Sequence, residues 1–393
     1  MAAAQASWLH GSASRRALAG FCLSGFLAAL LGAILPAWGY HLTFSFVTIG
    51  HYFLSVTAGV AASTAVVRLL LPSRGVSFVL MFACLLACAA LVFLGLASPP
   101  IDALWRMGGL FFLGMAMGLL NTAIFHAISP AYQQNPAATV NLGGAFFGFG
   151  CLAAALVVGG TFYAYSVTAI LILAALGPAL FAVLYMRTAF IPSRSARETT
   201  LEEAAGQLRN PSAVLLALLL FFQFGNEWSI AGWLTIFLIS RLGISPESSL
   251  WLLAAYWLAL MLGRVAALAV LPRMSHARLL VGGAAAALFG CVILLSTGNR
   301  SGAVAGILLV GAGFAPIYPL VAEKIGHRFT YYHPGLFNGI FSVAMIGAML
   351  APAMAGYLAA RWGVGMVMLA PLAGTCMVFV LILVIWLESK IGG

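Results

Sequence analysis

The chain has 393 residues, of which 63% are hydrophobic and 7% charged, with a mean hydropathy of +1.09. That balance excludes a soluble globular domain and identifies an integral membrane protein. The net charge of +10 would suit a nucleic-acid partner only if it were gathered on one surface; it is strung along the loops between apolar runs instead, so no nucleic acid is expected.

Apolar runs of about 20 residues, enough for a helix to cross about 30 Å of hydrocarbon, recur along the whole chain. They fall at 17–38, 44–71, 76–97, 103–130, 139–163, 166–187, 212–240, 248–271, 279–297, 302–326, 335–361 and 364–387. Runs of this length are not the short alternating segments of a β-barrel. The first follows Arg15 and Arg16 but is longer than a signal-peptide core and leads into further spans, so it is a retained helix. With the N-terminus inside, Arg15, Arg16, Arg68, Arg74, Arg187, Arg194, Arg197, Arg209, Arg264, Arg273, Arg278, Lys324, Arg328 and Lys390 lie at the cytoplasmic side. Arg106, Arg241, Arg300 and Arg361 lie outside, the asymmetry that the positive-inside rule requires. Both termini are therefore expected in the cytoplasm, in a multi-pass protein of the cell inner (plasma) membrane. The six cysteines all lie within spans and read as small apolar packers.

In the first six spans the polar residues are few. Asn121 and Thr122 sit in the middle of span four, with His126 further toward the cytoplasm, and Asn141 opens span five. His126 could titrate near neutral pH or serve as hydrogen-bonded filler. Arg68 lies near the cytoplasmic end of span two, where a long side chain snorkels. The polar segment 188–211 then separates two sets of six spans, so the expected domains are an N-terminal bundle over 1–187, a cytoplasmic linker over 188–211 and a C-terminal bundle over 212–393.

Span seven carries "FFQFGNEWSIAGWL" (221–234), with Glu227 near its middle. An ionisable group at that depth is costly, so it either serves a functional site or is a neutral carboxyl hydrogen-bonded to a neighbouring helix, and the functional reading is the one expected here. No basic residue is expected at comparable depth, so the carboxyl is expected to be neutral at rest and able to take or release a proton. Around Glu227, the series Gln223, Asn226, Ser229 or Ile230, and Trp233 runs at spacings of three and four, so Gln223, Asn226 or Glu227, and Trp233 are expected to share one face. Amides beside an indole ring suit a neutral polyhydroxylated ligand. Beyond it, Arg264 and Glu323 near cytoplasmic span ends are candidate gating residues, and Asn338 in span eleven mirrors Asn141.

The halves echo each other at an offset of about 200 residues: Gly25 and Gly32 against Gly225 and Gly232, "LLPSR" (70–74) against "VLPRM" (270–274), and Asn141/Gly150 against Asn338/Gly347. Such repeats characterise transporters whose substrate site forms near the bilayer midplane between the halves. The 43 glycines include the pairs Gly114/Gly118, Gly144/Gly148 and Gly335/Gly339, spaced for close helix packing. No metal-ligand cluster, phosphate-cradling glycine motif or nucleophile with a paired base is present, so neither cofactor, metal nor catalytic residue is expected.

These features resemble the major facilitator superfamily, and within it the fucose/glucose/galactose permease branch. In that branch the seventh helix typically reads Tyr-x-Gly-x-Glu-x-x-x-Gly-Gly-Trp; Gly225, Glu227, Gly232 and Trp233 match, while Gln223 and Ala231 depart. "MLGRVAALAVLPRMSHARLL" (261–280) resembles the Gly-Arg loop signature, "LNTA" (120–123) the Leu-Glu-Thr-Ala of helix four, and "NLGGAFFGFG" (141–150) the Asn-Leu segment of helix five. The helix-four acid of the branch is Asn121 here, and Gly32 stands where its sugar symporters carry an Asp. The resemblance implies an all-α integral membrane fold, twelve transmembrane helices in two pseudo-symmetric six-helix bundles.

The expected function is alternating-access transport of a small neutral polar solute, foremost a monosaccharide, by a protein expected to be monomeric. Gln223, Asn226, Glu227, Trp233, Asn121, Asn141 and Asn338 are the expected substrate-binding residues, and Glu227 is the candidate proton-coupling acid. A facilitative uniporter, a proton-coupled exporter of drugs and a non-transporting membrane sensor are the alternatives. The glycine pair ending "GFGCLAAALVVGG" (148–160) lacks the proline of the drug antiporters' helix-five pattern and argues against the exporter.

Overall fold

The structure is a computed structural model that describes residues 12–40, 45–134, 136–190, 211–271, 273–328 and 334–391. The described residues hold helices and turns without strands. The chain divides into two compact units, Met1–Arg197 and Glu198–Gly393. The first contains α1 (Ser12–Gly39), α2 (Phe46–Leu96), α3 (Ala103–Gln134), α4 (Pro136–Thr161) and α5 (Val167–Met186). The second contains α6 (Pro211–Leu242), α7 (Pro246–Val270), α8 (His276–Ser296), α9 (Arg300–Phe314), α10 (Ile317–Arg328), α11 (Pro334–Trp362) and α12 (Met366–Ile391).

Among the described residues, eleven helices are long and apolar enough to cross a membrane. One of them, α2, has 51 residues and would run roughly 76 Å if straight, more than two hydrocarbon thicknesses. It is broken where the sequence says it must be. Pro72 removes a helical N–H, and Gly75 takes φ 79, a conformation that costs a glycine little and an L side chain much. The two arms of α2 are the second and third expected spans, so eleven helices supply twelve crossings. The reverse holds at α9 and α10, where a turn at Ala315 and Pro316 interrupts one continuous span, Arg300–Ile325.

Helix starts are set by short polar side chains. Ser45, Ser166, Ser245, Ser275 and Asn299 each accept a backbone N–H from the residue three positions on, satisfying one of the donors that a helix N-terminus leaves open.

The sequence repeat is a packing repeat within each unit. In the first, a Cβ on Gly25 would strike the Phe147 carbonyl, and one on Gly150 the Cys22 carbonyl, so α1 and α4 meet backbone to backbone. In the second, Gly347 of α11 lies against the Phe221 carbonyl of α6, and a Cβ on Gly225 would come within 3.3 Å of the Gly347 carbonyl. Helices in lipid gain little from apolar burial against one another, so this close approach is what holds each pair together. Gly114 and Gly118 do the same for α3 against Val56 and Ser63 of α2.

Candidate functional site

Glu227 lies at the midpoint of the 32-residue α6. Fifteen residues separate it from Leu242, which puts it roughly 22 Å from that end of the helix. Its side chain is buried, with 7% of the residue exposed. One turn earlier on the same face, the Gln223 amide donates from Nε2 to Glu227 Oε1 at 2.8 Å. The other carboxylate oxygen, Oε2, lies 3.9 Å from Nη2 of Arg264 on α7. Tyr256, also on α7, donates its hydroxyl to the Glu227 backbone carbonyl at 3.4 Å. Tyr318 of α10 packs its ring on Phe224, the residue beside Gln223, at 5.2 Å.

Arg264 corrects the expectation that no basic residue shares the depth of Glu227. It sits eighteen residues after Pro246, roughly 27 Å from the turn that joins α6 to α7, only about 5 Å beyond Glu227 in the antiparallel hairpin. A guanidinium reaches back over that distance. Its backbone is pinned by Gly263, whose Cβ would come within 2.6 Å of the Ala315 Cβ where α9 ends. At 3.9 Å the pair is longer than a direct charge-assisted hydrogen bond of about 2.8 Å, so the two groups offset each other's charge without closing on each other.

The expected face divides in two. At 100° per residue, Gln223 and Glu227 are about 40° apart, whereas Asn226 and Trp233 lie about 100° and 120° from Glu227. Asn226 donates from Nδ2 to Thr375 Oγ1 at 3.3 Å and packs on Gly374, so it faces α12. Trp233 is buried and donates its indole N–H to the Pro352 carbonyl of α11 at 2.8 Å. In this structure these two side chains staple α6 to its neighbours, while Gln223, Glu227 and Arg264 form the polar cluster. Of the two candidate gating residues, Arg264 belongs to this cluster, and Glu323 pairs with His276 at 3.3 Å, bridging α10 to α8.

In the first unit Asn121 accepts a short hydrogen bond from the Ser24 hydroxyl, joining α3 to α1. Thr122 donates to the Gly118 carbonyl of its own helix at 2.9 Å. The side chains of Asn141 and Asn338 lie outside the described residues. The sequence does not point to Tyr256 or Thr375 as partners of this site, since nothing local distinguishes them from packing residues. Among the described residues, no group of three His, Cys, Asp or Glu is placed to hold a metal ion.

No family model matches the chain. Over 146 residues it is 25% identical to an uncharacterized MFS-type transporter of Yersinia pestis, a match that spans 37% of this chain and 38% of that relative. Among solved structures, the nucleoside transporter NupG superposes with a TM-score of 0.70, covering 97% of this chain and 100% of that one at 12% identity. The Escherichia coli fucose:proton symporter FucP gives a TM-score of 0.61, with 95% and 98% covered at 16% identity. The chain has the major facilitator fold. Within that fold, the Glu227 cluster lies inside the second unit, on the hairpin that opens it.

Proposed function

We propose that this protein is a membrane transporter of the major facilitator type that moves a small neutral polar solute, foremost a monosaccharide, by alternating access, with Glu227 at its binding site. The observation that carries the reading is the buried cluster of Gln223, Glu227 and Arg264 at the middle of α6. A carboxylate, an amide and a guanidinium together offer both donors and acceptors to hydroxyl groups. Because Glu227 and Arg264 offset each other, the cluster suits a neutral solute better than an ion. The names of two proteins of similar fold, a fucose symporter and a nucleoside transporter, point to solutes that contain a sugar ring. In this reading both termini are cytoplasmic, the protein works as a monomer in the inner membrane, and Asn121 contributes to the same solute's path.

Two modes of action follow from one site. In proton symport, Glu227 takes a proton and releases Arg264, and the two protonation states bias the conformations that expose the site to either side. Facilitated diffusion has its own support: Arg264 supplies a permanent counter-charge, and no acid occupies the matching positions of the first unit. Uptake of labelled hexoses into proteoliposomes, with and without an inward proton gradient, separates them. Symport predicts gradient-driven accumulation that Glu227→Gln loses while keeping exchange. Gradient-independent equilibration by both proteins assigns facilitated diffusion, and absence of any hexose flux sinks the substrate class.

A further inference from the structure

Buried polar atoms without partners are costly, and a folded protein retains them where something else completes them. Gln223 is fully buried, and although its Nε2 serves Glu227, its Oε1 has no hydrogen-bond partner among the described residues. Trp257 of α7 is 3% exposed, and its indole Nε1 likewise has none. One atom is an acceptor waiting for a donor; the other is a donor waiting for an acceptor.

Their placement ties them to the Glu227 cluster. Gln223 and Glu227 share a face of α6 at four-residue spacing, and Trp257 precedes Arg264 by seven residues, within about 20° of the same face of α7. Tyr256, the neighbour of Trp257, is the residue whose hydroxyl reaches the Glu227 carbonyl. The Trp257 ring is held in place by Tyr256 at 5.2 Å and Trp228 at 5.9 Å, both edge-on, so its N–H is aimed by packing. Counted from the α6–α7 turn, Trp257 lies roughly 16 Å along the hairpin, Glu227 about 22 Å and Gln223 about 28 Å, so the orphan donor and acceptor bracket the charged pair.

We propose that Gln223 Oε1 and Trp257 Nε1 are binding groups for a neutral polyhydroxylated solute, Gln223 accepting from one hydroxyl and Trp257 donating to one oxygen, so that Trp257 determines specificity. The inference rests on the reading of Glu227 as a solute site and adds to it two atoms on either side of the carboxylate. A site built to hydrogen-bond a particular oxygen discriminates strongly against a solute that lacks it, because the buried partner is then left unmade.

The test pairs Trp257→Phe, which keeps an aromatic ring and removes the N–H, with monodeoxy analogues of whichever hexose or nucleoside the wild type transports best. Half-saturation concentrations are measured in proteoliposomes for each pair. The expected result is one deoxy position that loses about 10-fold on the wild type and nothing further on Trp257→Phe, which itself is about 10-fold weaker for the parent solute. Gln223→Leu is expected to show the same signature at a different position. Losses that multiply independently at every position, or a Trp257→Phe protein with wild-type half-saturation, overturn the inference while leaving the Glu227 site standing. If the wild type moves no hexose or nucleoside, the site reading and this inference fall together.

Discussion

In the first unit, the positions offset by 200 from Gln223, Glu227 and Arg264 are Leu23, Leu27 and Thr64. Leu23 and Leu27 are 3% and 1% exposed, and the Thr64 hydroxyl donates to the Ala61 carbonyl of its own helix at 2.7 Å. The second unit keeps the same close helix pairing, Gly225 with Gly347 where the first has Gly25 with Gly150, but puts an amide, a carboxylate and a guanidinium where the first has two leucines and a threonine. The scaffold thus stands without a charged residue at these places, and the polar cluster is an addition to it. An addition that burial penalises and packing does not need is what a binding site looks like.

The difference can be broken from either side. The largest effect is expected for Leu27→Glu, which buries a carboxylate in the first unit where the matching α2 position carries Thr64 and no cation. A loss of about 3–5 kcal/mol, or failure to fold, should appear as a collapsed melting transition in detergent. Glu227→Leu leaves the Arg264 guanidinium without its counter-charge and should cost about 3 kcal/mol, read in the same melting experiment. The double variant Glu227→Leu/Arg264→Leu should recover most of that loss, because it removes both charges together. Smaller and symmetric effects belong to the shared scaffold. Gly150→Ala and Gly347→Ala each drive a methyl into a facing carbonyl, and each should cost about 1–3 kcal/mol. At the bottom of the scale, Ser275→Ala removes the hydroxyl that caps α8 and should cost about 1 kcal/mol, with solute transport intact.

Much of this molecule is legible in the sequence, for physical reasons. The span limits follow from hydropathy, and the break inside α2 from Pro72 and Gly75. Gly25 and Gly150 stand out because each has a counterpart about 200 residues on, Gly225 at an offset of 200 and Gly347 at 197. Glu227 is visible because a lone acid in an apolar run is costly to keep, and Gln223 because it stands one turn away. Arg264 is harder. Its distance from the nearest loop suggests a snorkelling residue, and only counting both helices from their common turn brings it level with Glu227. Asn226 and Trp233 show the opposite error, since spacings of three and four admit a wide arc, and that arc splits between α7 on one side and α11 and α12 on the other. The partners Tyr256, Thr375 and Pro352 depend on which helices meet, which side-chain periodicity alone does not encode.

The measurement closest to the central claim is solute exchange in proteoliposomes by the variant Gln223→Leu/Glu227→Leu/Arg264→Thr, which gives the second unit the residues of the first. A protein that melts as the wild type does yet exchanges no solute is the predicted result. Exchange at the wild-type rate would contradict the account, because the cluster would then be dispensable for transport.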